Sequence, residues 1–128
     1  MPPKAIRTEA APAAIGPYSQ AIQTGNTLYI SGQLGLDPTT GKLASDDTAA
    51  QAAQAMKNIR AILDAAGFAV ADVVQVVVLM TNIDDFGSIN TVYEDFFKPP
   101  YPARAAYAVA ALPAGAAVEI IATAVRNL

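Results

Sequence analysis

The sequence contains no cysteine and no histidine among its 128 residues. Without cysteine, the chain can form no disulfide, thiol nucleophile or thiolate-bound metal site. Without histidine, it lacks the commonest metal ligand and the commonest general base. Any catalysis must therefore use carboxylates, cations, hydroxyls or backbone groups, and we expect neither a metal nor another cofactor.

Charge and long apolar runs are also scarce. Charged residues make up 15% of the chain, the net charge is −3 and the pI is about 4.6. These values argue against nucleic-acid binding, because a phosphate backbone binds a basic surface. No apolar run reaches the roughly 18 residues of a membrane span, and residues 1–8 carry two prolines but no hydrophobic signal segment. We therefore expect a cytoplasmic protein that does not bind membranes.

Hydrophobic residues, by contrast, make up 53% of the chain. The length fits a single domain over residues 1–128. Because this composition is apolar for a soluble monomer, part of the surface has to be covered by other protein. Copies of the same chain are the simplest cover.

The first half of the chain shows the patterns of three strands. Residues 4–8 are typical of a short edge strand. Residues 18–23 and 27–32 predict a hairpin, because Gly25-Asn26 between them is a turn signal.

Three further strands are predicted in the second half. Residues 73–82 are almost continuously apolar and β-branched, which predicts a central strand covered on both faces. The small apolar run that follows Arg104 and ends at Leu112-Pro113 predicts a buried strand. In the last strand, residues 118–125, both alternating sets of side chains are largely apolar. The sheet face without helices should therefore meet other subunits.

The first of two amphipathic helices should begin at Asp47 or Thr48 and end at Gly67. Thr48 and Gln51 match a capping box. The core stripe at helical spacing consists of Ala52, Met56, Ile59, Leu63 and Ala66. Four polar side chains lie off this stripe, namely Gln54, Lys57, Asn58 and Asp64.

The second helix should be capped by Asp84 or Asp85. Asn90 shares the side of its buried stripe and either ties a loop or faces a site. The stripe consists of Phe86, Ile89, Tyr93 and Phe96. Two helices suffice to cover one sheet face. We therefore predict an α+β fold, a mixed sheet of about six strands with two helices on one face.

Two lone charges stand in apolar surroundings near the end of the chain. Arg104 follows a proline-rich segment, residues 98–103, which brings the chain to it rigidly. Its planar fork of donors needs either an acid elsewhere in the fold or the carboxylate or phosphate of a ligand. Glu119 is a lone carboxylate within an apolar strand. Together, the two charges suggest a small site.

Five motifs occur in a fixed order along the chain. They are Ile15-Gly16-Pro17-Tyr18-Ser19-Gln20, Ser31-Gly32-Gln33, Asn90 with Tyr93-Glu94-Asp95-Phe96-Phe97, Pro102-Ala103-Arg104 and Val118-Glu119-Ile120. In this order and spacing, over residues 6–126, they resemble the Rid/YjgF family of reactive-intermediate deaminases, also called the L-PSP or translation-inhibitor family. The resemblance implies a chorismate-mutase-like fold and a homotrimer with its sites in the clefts between subunits.

The resemblance also implies an enzymatic activity. Members of this type hydrolyse 2-imino acids such as 2-iminobutanoate and 2-iminopropanoate, or their enamines, to 2-keto acids and ammonia. Carried over to this chain, the catalytic residues are Arg104, which would hold the substrate carboxylate, and Glu119, which would position or activate the attacking water. The backbone at Gly32 would help to bind the carboxylate.

Four further residues belong to the implied site. Tyr18 and Ser31 would line the substrate pocket, and Asn90 would lie near its edge. Many bacterial relatives have a cysteine two residues after the arginine, where this chain has Ala106. That departure excludes a thiol role and leaves a binding role for the backbone groups of Ala106.

Other functions stay open beside imine hydrolysis. A non-catalytic trimer could use the same arginine to bind small carboxylates, and a chaperone-like trimer could use apolar surface. RNA cleavage or translation inhibition is a third alternative. The acidic pI and the lack of histidine argue against it.

Overall fold

The computed structural model describes residues 2–126. Its main elements are, in order, β1 (Lys4–Ile6), β2 (Ala21–Thr24), β3 (Thr27–Leu34), α1 (Thr48–Ala66), β4 (Val73–Met80), α2 (Phe86–Phe96), β5 (Ala103–Ala108) and β6 (Val118–Val125). The predicted order of strands and helices and the α+β class are confirmed. Neither helix of this part of the chain is long and apolar enough to cross a membrane.

The strands form one mixed sheet in the order β1-β2-β3-β6-β4-β5. All neighbouring strands are antiparallel except β4 and β5, which are parallel. A parallel pair needs a long crossover, and α2 lies within the connection between these two strands. The C-terminal strand β6 is inserted between β3 and β4, so that it joins the two halves of the sheet.

The predicted hairpin is present, with Thr24 paired to Thr27 across the turn. Gly25 has a φ of 58°, the left-handed conformation that a tight hairpin turn requires. β2 is shorter than predicted, since residues 18–20 lie outside it. Gln20 instead turns its buried amide toward the N-terminal segment, where its Nε2 donates to the Thr8 and Pro12 carbonyls at 3.0 and 2.8 Å.

The first helix begins with an Asp47 cap, whose carboxylate accepts from the backbone N–H three residues later at 3.0 Å. The predicted capping box of Thr48 and Gln51 is wrong. Thr48 Oγ1 donates instead to the Asp85 carboxylate at the start of α2, at 3.0 Å. Gly67 ends the helix in the left-handed conformation, with φ 77°, as predicted.

The core lies between the two helices and one face of the sheet. Its central strands contribute every second residue, while most of the predicted α1 stripe is buried against them. These residues are Val76, Val78 and Met80 of β4, Val118, Ile120, Ala122 and Ala124 of β6, and Ala52, Met56, Ile59 and Leu63 of α1. Fully burying one large apolar side chain contributes about 1.5–3 kcal/mol.

Asn58 is fully buried, although its position off the apolar stripe predicted otherwise. Its Nδ2 donates to the Leu34 and Leu36 carbonyls at 3.2 and 3.0 Å. The chain that leaves β3 crosses α1 at this point, and buried carbonyls need donors. Gly35 permits this crossing, because a Cβ there would clash with the Gln51 carbonyl oxygen.

The second face of the sheet carries no helix. β4 is therefore covered on one face only within the chain, where coverage of both faces was predicted. β5 was predicted to be buried and is instead an exposed edge strand, because it pairs with β4 alone. Tyr29 and Tyr107 stand on this face with 53% and 51% of their surface exposed.

Candidate active site

Arg104 lies on the helix-covered side of β5, where it pairs with Val76. Its Nη1 donates to Asn90 Oδ1 at 2.6 Å. The guanidinium carbon lies 4.7 Å from the centre of the Tyr93 ring and 5.3 Å from that of Phe86. No carboxylate within residues 2–126 forms an ion pair with this guanidinium. The alternative of a structural arginine paired with an acid is therefore not supported.

A cavity of about 390 Å³ opens beside the guanidinium. Its lining residues are Asn90, Tyr93, Glu94, Tyr101, Pro102 and Arg104. A guanidinium has five N–H donors, and Asn90 engages only one of the two terminal nitrogens of Arg104. Burial raises the pKa of the Tyr93 hydroxyl, although the nearby positive charge of Arg104 acts to lower it. The cavity therefore offers an exposed cation to an anionic group.

Glu119 lies on the opposite, helix-free face, paired with Leu79 of β4 and Leu34 of β3. Partial burial raises the pKa of this carboxyl group above its usual value of 4.5. The carboxylate packs directly against Gly32, where a Cβ would lie 2.8 Å from Glu119 Cδ and 2.9 Å from Oε2. Glycine is therefore needed at position 32 for this approach.

Ser31 directly precedes Gly32 in β3, and Tyr18 lies in the segment that precedes β2. The Ser31 hydroxyl donates to the Ser19 carbonyl at 2.6 Å, which ties the segment preceding β2 to the strand that carries Gly32. The neighbouring Tyr18 is 52% exposed. The register of β3 against β6 shifts between Ile30 and Gln33, so that Ser31 and Gly32 occupy a bulge.

One chain does not bring the two lone charges together. Arg104 pairs with Val76, which in turn pairs with Ala122, three residues from Glu119 along β6. Since side chains alternate between faces along a strand, an odd separation places Arg104 and Glu119 on opposite faces. Most residues carried over from the family resemblance thus fall into two groups, with Arg104, Asn90 and Ala106 on one side and Ser31, Gly32 and Glu119 on the other. Tyr18 lies outside the sheet, in the segment before β2.

Two residues that contact Arg104 were not recognised from the sequence as part of a site. The helical spacing of Phe86 and Tyr93 predicts core positions in the second helix, and Tyr93 is indeed buried. The signal that could have identified them was Asn90, the polar residue on the same side of that helix. Ala106 pairs with Val78 and is partly buried against the core.

Comparisons with known proteins give a consistent result. A family model described as Endoribonuclease L-PSP matches residues 8–126. The 2-iminobutanoate/2-iminopropanoate deaminase of Mus musculus is 53% identical over 124 residues, which cover 97% of this chain and 92% of the mouse protein. The crystal structure of RidA from a Psychrobacter species matches with a TM-score of 0.93 and 50% identity, over 96% of this chain and 99% of that chain. The E. coli TdcF structure with bound serine matches with a TM-score of 0.92 and 41% identity, over 97% and 99%.

Proposed function

The chain belongs to the family described as Endoribonuclease L-PSP, the Rid/YjgF family that its motifs resemble, and from this premise we propose that it is a 2-iminobutanoate/2-iminopropanoate deaminase. The reaction adds water to the C=N bond of a 2-imino acid and releases a 2-keto acid and ammonia. The name of the mouse relative supports this activity. The structural observation that carries the proposal is the exposed Arg104 guanidinium, which faces a cavity and forms no ion pair with a carboxylate of residues 2–126.

The proposed role of Arg104 is to bind the substrate carboxylate. A guanidinium and a carboxylate form two parallel hydrogen bonds, which fix both the position and the orientation of the ligand. Backbone groups of Gly32 and Ala106 would complete this binding, and Tyr18 and Ser31 would line the pocket.

The proposed role of Glu119 is that of a general base. It accepts a proton from water while the water oxygen bonds to C2 and the C=N electron pair moves to nitrogen. Glu119 then gives this proton to the nitrogen. The C2–N bond breaks and ammonia leaves, while the hydroxyl oxygen on C2 becomes the keto oxygen and passes its proton to the departing nitrogen. The raised pKa of Glu119 makes it a stronger base than an exposed glutamate. Because an iminium carbon is already electrophilic, neither a metal nor a covalent nucleophile is needed.

We further propose that the chain forms a cytoplasmic homotrimer with its sites between subunits. Two observations support shared sites: Arg104 and Glu119 lie on opposite faces of one sheet, and the helix-free face exposes apolar and aromatic side chains. A site between subunits would join the Arg104 half of one chain to the Glu119 half of another. Sedimentation should show a trimer at micromolar concentration, and a stable monomer would contradict the shared site.

The activity is tested by coupling a threonine dehydratase to this protein and following keto-acid release from freshly formed imine. Calorimetric binding of 2-oxobutanoate is measured in parallel. Arg104→Ala should lose binding by about 2–5 kcal/mol, and Arg104→Lys should also bind poorly, since an ammonium lacks the planar fork. Glu119→Gln should bind the keto acid normally, while turnover falls by about 10²–10⁴-fold.

Two results would contradict this assignment. Wild-type turnover in Glu119→Gln would remove its role as base, and normal keto-acid binding in Arg104→Ala would place the site elsewhere. Each variant must first sediment as the wild-type protein does, so that a loss reflects the site and not the assembly.

Binding of small carboxylates without catalysis is the second candidate function. It is favoured by the serine that the TdcF structure contains, since serine carries the carboxylate that Arg104 would recognise. A pure binder would take up 2-oxobutanoate or serine but leave the rate of imine decay at its spontaneous value.

A further inference from the structure

We propose that Phe86, Asn90 and Tyr93, three residues on one face of α2, are positioning residues that hold the Arg104 guanidinium ready for the substrate carboxylate. This inference rests on the proposed function and assigns these residues a role through Arg104. For Asn90, that role replaces direct contact with substrate.

The spacing of the three residues brings them to a single point. They follow one another at intervals of four and three positions, which align side chains along one helix face. Asn90 Oδ1 accepts from Arg104 Nη1 at 2.6 Å. The Tyr93 and Phe86 rings lie 4.7 and 5.3 Å from the guanidinium carbon. Aromatic faces attract cations at such distances, so the guanidinium is held by the rings and by the amide oxygen.

The Tyr93 ring is buried and closely packed. Tyr93 is only 4% exposed, and its ring packs against that of Phe97 with 4.8 Å between the centres. The start of α2 is joined to α1 by the hydrogen bond from Thr48 to Asp85 at 3.0 Å. The helix therefore presents a fixed surface to a long side chain that stands on an exposed edge strand.

A fixed guanidinium binds more tightly than a mobile one. An arginine side chain on an exposed strand has many rotamers, and ordering it on binding would cost affinity. Because Asn90 and the two rings already restrict the rotamers of Arg104, less side-chain entropy is lost when the ligand binds. Loss of this restriction should weaken ground-state and transition-state binding alike, which raises KM and leaves kcat nearly unchanged.

The part of Tyr93 that acts is its ring. Its hydroxyl is buried and has no hydrogen-bond partner within residues 2–126.

The experiment measures 2-oxobutanoate binding by calorimetry and imine hydrolysis by steady-state kinetics. Asn90→Ala and Phe86→Leu should each raise the dissociation constant and KM by roughly 5- to 20-fold, in the range of coupling between contacting residues, with kcat within about 3-fold of wild type. Thr91→Ala is the matched control, because Thr91 is an exposed neighbour on the same helix, and it should behave as wild type.

A double-variant cycle then decides between positioning and direct contact. In the Arg104→Ala background, Asn90→Ala should have no further effect on binding, because the guanidinium that Asn90 positions is already absent. An equal loss in both backgrounds would overturn the proposal, since Asn90 would then touch the ligand itself. Wild-type binding by both Asn90→Ala and Phe86→Leu would also overturn it. The proposed function would survive either result, because it is decided by the wild-type protein and by the Arg104→Ala and Glu119→Gln variants.

Discussion

Replacing Gly32 with alanine adds one methyl group between the backbone and the Glu119 carboxylate. The added Cβ would lie 2.8 Å from Glu119 Cδ, 2.9 Å from Oε2 and 3.1 Å from Cγ. Optimal contacts between such atoms are about 3.5–4.0 Å. The carboxylate must therefore move by roughly 0.7 Å or more to accept the methyl group.

The substitution should spare the fold. Gly32 does not have a positive φ, so alanine can adopt its backbone conformation. The clashing atoms belong to the end of a flexible side chain, which can turn away without moving backbone. Removing a glycine also restricts the unfolded chain, which contributes about 0.4–1 kcal/mol of stability where no strain opposes it.

Catalysis, by contrast, should suffer. A displacement of about 1 Å in a reacting group can cost on the order of 10²-fold in rate. We therefore expect Gly32→Ala to lower kcat in imine hydrolysis by roughly 10- to 100-fold, while its midpoint of urea unfolding stays close to that of wild type. Gly87→Ala is the control, because a Cβ there meets no atom within 4 Å. It should keep activity and gain about 0.5–1 kcal/mol of stability from helix propensity.

A Gly32→Ala protein with the wild-type kcat would refute this reasoning, because the position of the Glu119 carboxylate would then not matter for the chemistry. The double variant with Glu119→Gln provides a second check. Both changes act on the same group, so the slower single variant should set the rate of the pair.

Three further predictions concern the protonation of Glu119 and the buried hydrogen bonds of Asn58. Glu119 must be ionised to act as a base, so kcat/KM should fall as the pH falls through the pKa of this group. Because that pKa is raised, the fall should begin at a higher pH than the usual value of 4.5 would give. Glu119→Gln should abolish this limb of the pH–rate profile. The pKa of Glu119 is higher in the folded than in the unfolded state. Its contribution to stability is therefore greatest at pH values below the unfolded-state pKa and declines as the pH rises through the folded-state pKa. At neutral pH, Glu119→Gln should consequently not lower the midpoint of urea unfolding. Asn58→Ala leaves two backbone carbonyls without their donor and should cost about 1–3 kcal/mol in urea unfolding. The exposed neighbour Lys57→Ala should change little, and an equal loss there would contradict the assignment to hydrogen bonding.

Features that depend on neighbouring residues were predictable from the sequence. The turn at Gly25-Asn26, the end of α1 at Gly67 and its apolar stripe follow from local backbone preferences and helical spacing. The Asp47 cap was one of two alternatives. The choice between Asp47 and Thr48 depended on a distant residue, because the Thr48 hydroxyl is engaged by Asp85.

Features that depend on strand order could not be predicted in the same way. The run after Arg104 is as apolar as a central strand, yet β5 is an edge, and nothing within the run encodes its neighbours. The burial of Asn58 likewise depends on where the chain leaving β3 crosses α1. The opposite orientation of Arg104 and Glu119 follows from the pairing of β5 with β4 and of β4 with β6.

The separation of Arg104 and Glu119 onto two faces has a genetic consequence. Under the proposed assembly, a chain with Arg104→Ala still offers an intact Glu119 half, and a chain with Glu119→Gln still offers an intact Arg104 half. Two inactive chains folded together would rebuild a complete site wherever their intact halves meet. Alleles damaged in different halves would therefore complement each other, whereas alleles damaged in the same half would not.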